Sequence, residues 1–167
     1  MHDNLGHKAV YRILKFEDPD GSVAEALRNG ADLIAHAKEV DEFKENILLD
    51  EGKNEIWKLV IGSSSNVFDS TGAEIGVGDG TDAEDASQTD LTGTNKEYVS
   101  MDSGYPTVSG STVTFRSTFD GSTANFSWQE FTVRQSTSLI NLNRKVADKG
   151  TKSSGETWTV EIQITLS

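Results

Sequence analysis

The sequence contains no cysteine, only two prolines and no long run of apolar residues. The absence of cysteine excludes disulfide frameworks, thiolate zinc sites and cysteine nucleophiles. The first residues, MHDNLGHKAVYRILKF, contain no apolar signal core, and no later stretch is long enough to span a bilayer. We therefore expect a chain that is made in a cytoplasm and leaves it only through assembly or lysis.

Positive charge is also scarce. The 167 residues include 15 lysines and arginines against 27 aspartates and glutamates, which gives a formal net charge of −12. This excess of negative charge disfavours nonspecific binding to nucleic acid or to an anionic membrane surface. The composition therefore predicts no nucleic acid and no membrane among the partners, and it favours another protein.

Helical patterns are confined to the first part of the chain. Ser22 with Glu25 three positions later is typical of a helix start. Asn29 and Gly30 then interrupt the apolar pattern, which predicts a broken helix or a helical hairpin. A second helix is predicted from about Asp50 to Val60. Its helical period is carried by Ile56, Trp57, Val60 and Ile61.

The remainder of the chain alternates apolar and polar residues in the manner of β-strands. The run TWTVEIQITL predicts a strand with one buried and one solvated face. Its inward residues are Trp158, Val160, Ile162, Ile164 and Leu166, and its outward residues are Thr157, Thr159, Glu161, Gln163 and Thr165. STVTFRSTF follows the same rule, whereas NFSWQEFTV changes parity, which predicts a β-bulge near Gln129 and Glu130.

These patterns predict a mainly β protein, an antiparallel β-sandwich of jelly-roll type. We expect two parts. Residues 1–45 would be an N-terminal arm with short helices, and residues 46–167 would be the β-sandwich domain with a short leading helix.

A stretch rich in glycine and acidic residues, AEIGVGDGTDAEDASQTDLTGT, is the first candidate site. A phosphate-binding loop requires a lysine, which this stretch lacks. The dinucleotide fingerprint also fails, because Gly76, Gly78 and Gly80 lack its spacing. Four carboxylates offer oxygen ligands: Asp79, Asp82, Glu84 and Asp85. Their order is not that of a calcium-binding loop. We therefore predict a mobile, solvated loop whose glycines let a short strand bend, with no cofactor and no metal.

Nucleophilic catalysis finds little support in the sequence. The three histidines, His2, His7 and His36, all precede the predicted β-domain, which therefore has no imidazole of its own. No G-x-S-x-G motif occurs, and no pair of carboxylates is marked for glycoside chemistry. Trp128 and Trp158 fall in the inward phase of their strands, which favours core packing over sugar stacking. We predict no catalytic residue and no enzymatic activity.

Two groups of residues are candidates for contacts with other protein chains. The segment VYRILKF has no clean period, so a short strand and an extended arm are both possible. Five of its apolar residues are expected to be buried against another chain: Val10, Tyr11, Ile13, Leu14 and Phe16. The segment NLNRKVADKGTK supplies a cationic spot that includes Arg144 and Lys145. It is either a solvated strand end or a patch that meets an acidic neighbour, such as the Asp79–Asp90 loop of another subunit.

A series of motifs resembles a family of small structural proteins of tailed bacteriophages. In order, these are NILLDEGKNEIWKLVIG, AEIGVGDGTDAEDASQTDLTGTNKEYVSMDSGYP, TVTFRSTF, ANFSWQEFTV, LNRKVADKGTK and TWTVEIQITLS. The resemblance runs from about Asn46 to Ser167 and implies a non-enzymatic virion protein.

The resemblance leaves two positions in the particle open. The first is a capsid decoration (cement) protein on the capsid exterior, a homotrimer or other homo-oligomer that binds and reinforces the shell of major capsid protein. The alternative is a tail-associated or fibre-base adaptor protein. A carbohydrate-binding module is a remote third alternative.

Overall fold

The computed structural model describes residues 6–167, which form ten strands in two antiparallel sheets. The first sheet contains, from edge to edge, β2 (Glu39–Lys44), β1 (His7–Glu17), β10 (Glu156–Leu166), β7 (Thr112–Phe119) and β6 (Thr107–Ser109). The second sheet contains, from edge to edge, β3 (Ile47–Leu48), β9 (Asn143–Val146), β8 (Glu130–Gln135), β4 (Ala73–Gly78) and β5 (Lys96–Ser100). The prediction of a mainly β chain with antiparallel sheets is confirmed.

The two sheets contribute to one hydrophobic core. Tyr11 of β1 and Ile75 of β4 are fully buried members of the same cluster, although they belong to different sheets. Trp128, just before β8, packs edge-on against Phe119 and Trp158 with ring centroids 5.0 and 4.8 Å apart. Both tryptophans are buried, so core packing is confirmed for them. The arrangement is that of a sandwich.

Strand β1 corrects the predicted N-terminal arm. It lies inside the first sheet, paired with β10 from His7 opposite Leu166 to Glu17 opposite Glu156. Its apolar residues enter two clusters: Tyr11 and Ile13 lie in the main core, whereas Leu14 and Phe16 pack with Leu27 on the opposite face. Burial on both faces removes the alternation expected of a half-exposed strand.

The predicted interface in this region is therefore wrong for four of its five residues. Tyr11, Ile13, Leu14 and Phe16 are buried within their own chain, and Val10 is half-buried. The boundary at residue 45 is corrected too, because β1 and β2 share a sheet with β10 and β7. Residues 1–5 of the predicted arm, which include His2, lie outside the described residues.

The helices lie in the connections between strands, as α1 (Ser22–Arg28), a 3-10 helix (Ile34–His36) and α2 (Asp50–Val60). The broken helix and the bounds of the second helix are thus confirmed. The start of α1 differs from the prediction, because Asp18 replaces the Ser22–Glu25 pair as the capping group. Its carboxylate accepts hydrogen bonds from the backbone N–H groups of Val23 and Ala24 at 3.0 and 2.9 Å. No helix in residues 6–167 is long and apolar enough to cross a membrane.

The outer face of the first sheet is covered where the sequence predicts solvent. Thr159 is fully buried there, with its hydroxyl 2.9 Å from that of Thr118. Beside them, Arg116 Nε donates to Asp102 Oδ2 at 2.8 Å, and Nη2 donates to the Leu27 carbonyl at 2.6 Å. This buried ion pair anchors α1 over β7, which explains why Thr159 is not exposed. The predicted outward face is therefore corrected at this position.

Two further details differ from the sequence prediction. Leu166, placed in the inward set of β10, is 57% exposed. The parity change near Gln129 coincides with an interruption of the strand, because β8 begins only at Glu130. Before it, the N–H groups of Trp128 and Gln129 donate to the carbonyls of Gly150 and Gly78.

Candidate protein-binding surface

Arg144 was one of the two cationic interface candidates, and the structure buries it completely. Because Phe131 of β8 enters the core, the neighbouring Glu130 points to the outer face of the second sheet. There, Nε and Nη2 of Arg144 donate to Glu130 Oε2 at 3.0 and 2.8 Å. Nη1 donates to the Asp82 carbonyl at 3.0 Å and to Gln88 Oε1 at 2.9 Å. Arg144 thus contacts the acidic loop of its own chain, whereas the sequence leaves open a solvated strand end or an acidic loop of another subunit.

The same carboxylate holds the other end of the loop. Glu130 Oε1 accepts from the N–H groups of Gly80 and Gly93 at 3.1 and 2.8 Å, and Oε2 accepts from the Thr92 N–H at 3.0 Å. Residues 79–93 are therefore fastened over the sheet by a buried, hydrogen-bonded ion pair. The loop is anchored to the sheet at Glu130 and Arg144, whereas Asp82 and Asp85 are exposed, as expected of a solvated loop.

The glycines of this stretch provide space rather than bending. A Cβ atom on Gly76 would lie 2.5 Å from Cε1 of Tyr98, and one on Gly78 would lie 2.5 Å from Glu130 Oε1. Strand β4 is paired with neighbours on both sides through Gly78. The hydrogen side chains at these positions let the Tyr98 ring and the Glu130 carboxylate lie directly on the strand.

The rest of the cationic segment is also used within the chain. Lys145, the second interface candidate, has its ammonium 3.7 Å from Glu84 Oε1. Lys149 lies 3.2 Å from Asp41 Oδ2 and 4.1 Å from the centroid of the Phe43 ring. These contacts leave no free cationic patch at this position.

Lys152, at the end of the same segment, is buried without a carboxylate partner in contact. Its ammonium donates to the carbonyls of Asp120 and Thr123 at 2.5 and 3.0 Å and to Asn125 Oδ1 at 2.8 Å. Burial lowers the pKa of Lys152 to about 8, against the attraction of Asp120 and Glu156. Lys152 therefore stabilises the turn formed by residues 120–125.

The histidines lie apart from the acidic side chains in the part of the chain that the structure describes. No group of three or more histidines, aspartates or glutamates there is placed to hold a metal ion. His7 Nε2 lies 2.9 Å from Asn46 Oδ1, and His36 is exposed on the 3-10 helix. In residues 6–167, neither imidazole is hydrogen-bonded to a serine or threonine hydroxyl.

Helix α2 leaves two of its large apolar side chains, Trp57 and Val60, exposed. Its buried positions are Gly52 and Glu55, and a Cβ on Gly52 would meet the Leu142 carbonyl oxygen at 2.4 Å. Trp57 is 66% exposed and Val60 is 68% exposed. Large apolar side chains that are exposed next to one another often mark a site of interaction with another molecule.

A groove runs beside this helix. One depression of about 390 Å³ lies between Ile56, Val108 and Leu166, and a second of about 300 Å³ adds Trp57 and Val60. The two depressions share Leu48, Ile56 and Leu166, so they are continuous. We call this region the apolar surface, defined by Leu48, Ile56, Trp57, Val60, Val108 and Leu166.

A third depression, of about 540 Å³, adjoins the apolar surface. It is lined by Lys8 and Lys44, together with His7, which pairs with Leu166 across the sheet. Twelve of the fifteen lysines and arginines form an ion pair in the structure. Lys152 is buried, so Lys8 and Lys44 are the two exposed cations without an ion pair among the described residues.

Comparisons with protein-family models, with curated proteins and with solved structures find no match to this chain.

The residues of the apolar surface on α2 are also the residues that predict the helix. The spacing of Ile56, Trp57 and Val60 predicts a helix, and the structure confirms it. Periodicity identifies an apolar helix face but not whether another part of the chain covers it. The candidates chosen from the sequence, by contrast, are buried or ion-paired, apart from the half-buried Val10.

Proposed function

We propose that this chain is a non-enzymatic structural protein of a tailed-bacteriophage particle, and that it decorates the capsid exterior by binding the major capsid protein through the apolar surface. The observation that carries the proposal is the exposure of Trp57, Val60 and Leu166 around a continuous groove. Tryptophan is enriched at the centres of protein–protein interfaces, so Trp57 is the residue expected to contribute most to binding. The motif resemblance supports a role in a phage particle, and the apolar surface supports attachment through α2.

The scaffold supports such a role. Buried ion pairs fasten long connections over both sheets, through Arg116 on one side and Arg144 on the other. A protein that reinforces a shell benefits from a surface held rigid before binding, because less conformational entropy is then lost on association. The jelly-roll connectivity and the assembly into a homotrimer or other homo-oligomer remain predictions within this proposal.

The test uses purified particles of a phage whose genome encodes the chain. Mass spectrometry should find the chain in the particles, and electron cryo-microscopy should place its density over the shell with α2 facing the major capsid protein. Density at the tail would replace the decoration role with that of a tail-associated adaptor. Absence of the chain from purified particles would overturn the virion proposal.

Re-addition of the purified chain to particles that lack it tests the surface itself. Trp57→Glu should abolish co-sedimentation. The matched control is Leu139→Asp, which adds the same charge at an apolar side chain that is also exposed but lies outside the apolar surface. Leu139 has a φ of 62°, a conformation that aspartate tolerates. Equal binding of the two variants would rule out the apolar surface as the attachment site.

A further inference from the structure

The charge around the apolar surface is opposite to that of the whole chain. The apolar surface and the adjoining third depression are lined by three lysines, Lys8, Lys44 and Lys53, and by one acidic side chain, Glu45. Lys53 is paired with Asp50 at 2.7 Å, so the uncompensated positive charge is that of Lys8 and Lys44. The chain as a whole has 27 acidic against 15 basic residues. A local excess of positive charge beside an apolar groove attracts carboxylates and suppresses cationic partners.

The size of the apolar surface bears on the kind of partner. A buried tryptophan contributes on the order of 150–250 Å², so the exposed parts of Trp57, Val60, Val108 and Leu166 amount to roughly a few hundred Å². A stable contact between two globular proteins needs about 800 Å² on each side. The groove alone is too small for that, but it fits the side chains of a short peptide segment.

A second copy of this chain is a poor occupant. In a two-fold dimer the same patch meets itself. The patch that carries the unpaired Lys8 and Lys44 would then meet an identical cationic patch, within two chains that each carry a net charge of −12. Like charges in a contact are unfavourable.

We propose that the apolar surface and the adjoining lysines together bind one linear segment of a partner protein that carries both aliphatic side chains and carboxylates. The aliphatic groups enter the groove between Ile56, Val108 and Leu166, and the carboxylates lie toward Lys8 and Lys44. This inference rests on the proposed function, because it specifies the chemistry of the partner at the same surface.

The experiment selects ligands without assuming a partner. The immobilised full chain is used to enrich binders from an mRNA-displayed library of short random peptides, and the affinity of the enriched peptides is measured by fluorescence anisotropy. Enriched peptides should combine at least two aliphatic or aromatic residues with net negative charge. Lys8→Glu and Lys44→Glu should each weaken binding about tenfold, and Trp57→Glu should abolish it.

Lys38→Glu is the matched control, since it reverses an exposed lysine that lies outside the three depressions. It should leave the affinity within about twofold of the wild type, because exposed charges beyond a Debye length are screened. Raising the salt concentration should weaken the wild type and should affect Lys44→Glu less.

Enrichment of basic or uncharged peptides, or equal effects of Lys44→Glu and Lys38→Glu, would overturn the inference. Self-association of the free chain that Trp57→Glu abolishes would overturn it too, because a second copy would then be the occupant.

The experiments distinguish failure of the proposed function from failure of this inference. Selection of acidic, aliphatic peptides by a chain that is absent from particles would reject the virion role alone, whereas loss of particle binding in Trp57→Glu without any acidic preference would reject only the partner chemistry.

Discussion

The outer face of the second sheet buries charged side chains, whereas the apolar surface exposes apolar ones. On the sheet, the charges of Glu130 and Arg144 are fully buried, and each is surrounded by hydrogen-bond partners from the chain itself. At the apolar surface, Trp57 and Val60 are large, apolar and uncovered. The charges on the sheet are paired within the chain, whereas the apolar side chains of the apolar surface are left uncovered. The place to look for a partner is therefore the apolar surface and not the cationic segment that the sequence suggested.

The largest expected effect comes from breaking the buried pair. Arg144→Met should lower the free energy of unfolding by about 3–5 kcal/mol, because it leaves the Glu130 carboxylate buried without its cation. Urea unfolding followed by tryptophan fluorescence measures this. Lys145→Met, at the next residue, loses only a partly exposed contact and should cost less than about 1 kcal/mol. Similar losses for the two variants would contradict the central role given to Arg144.

The next largest effect on stability is expected at Gly76, where the absence of a side chain leaves space for the Tyr98 ring. Gly76→Ala should destabilise the protein by about 1–3 kcal/mol, because its methyl group would overlap the Tyr98 ring and Thr132 Cγ2. The same substitution made together with Tyr98→Ala should cost clearly less, since the ring is then absent. A double-mutant cycle from chemical denaturation gives the coupling. Additive effects would mean that the glycine serves some purpose other than the close approach of Tyr98.

A smaller, pH-dependent effect is expected at Lys152. Its pKa is lowered to about 8 by burial, so between about pH 8 and the ordinary lysine pKa of 10.5 the unfolded chain binds more protons than the folded one. The free energy of unfolding contributed by this group therefore rises with pH in that window. Lys152→Met should cost about 1–3 kcal/mol at neutral pH, because three carbonyl oxygens lose their donor.

The pH dependence is measured as the difference between wild type and Lys152→Met from pH 8 to pH 10. This difference cancels the tyrosines, whose pKa values are raised by burial in both proteins. The advantage of the wild type should grow across the window. A constant difference would show that Lys152 does not titrate there.

The smallest effect on stability is expected at the apolar surface. Trp57→Glu should change the free energy of unfolding by no more than about 0.5 kcal/mol, since the side chain is mostly exposed. Thermal and chemical denaturation measure this. A loss comparable to that of Arg144→Met would mean that Trp57 is part of the fold rather than of a binding surface.

Local patterns in the sequence predicted local structure well. The bounds of α2 and most of the inward face of β10 follow from spacing within about ten residues. The sequence leaves β1 undecided between a strand and an arm because both of its faces are buried, which removes the alternation that identifies a strand. The burial of Arg144 could not be predicted because its partners in the acidic loop are distant in sequence. Asp82, for example, is 62 residues away, and no local pattern shows which loop will cover a given strand.

The pairing of β1 with β10 has a kinetic consequence. β1 is translated before β10 and is separated from it by most of the fold, and the two lie side by side along their whole length. Until β10 emerges from the ribosome, one edge of β1 has unpaired backbone groups, and Tyr11 and Ile13 lack the neighbours that bury them. Contacts between such distant segments make folding slow. The nascent chain therefore carries an exposed apolar strand until β10 is made, and the protein should refold more slowly than a helical protein of the same length.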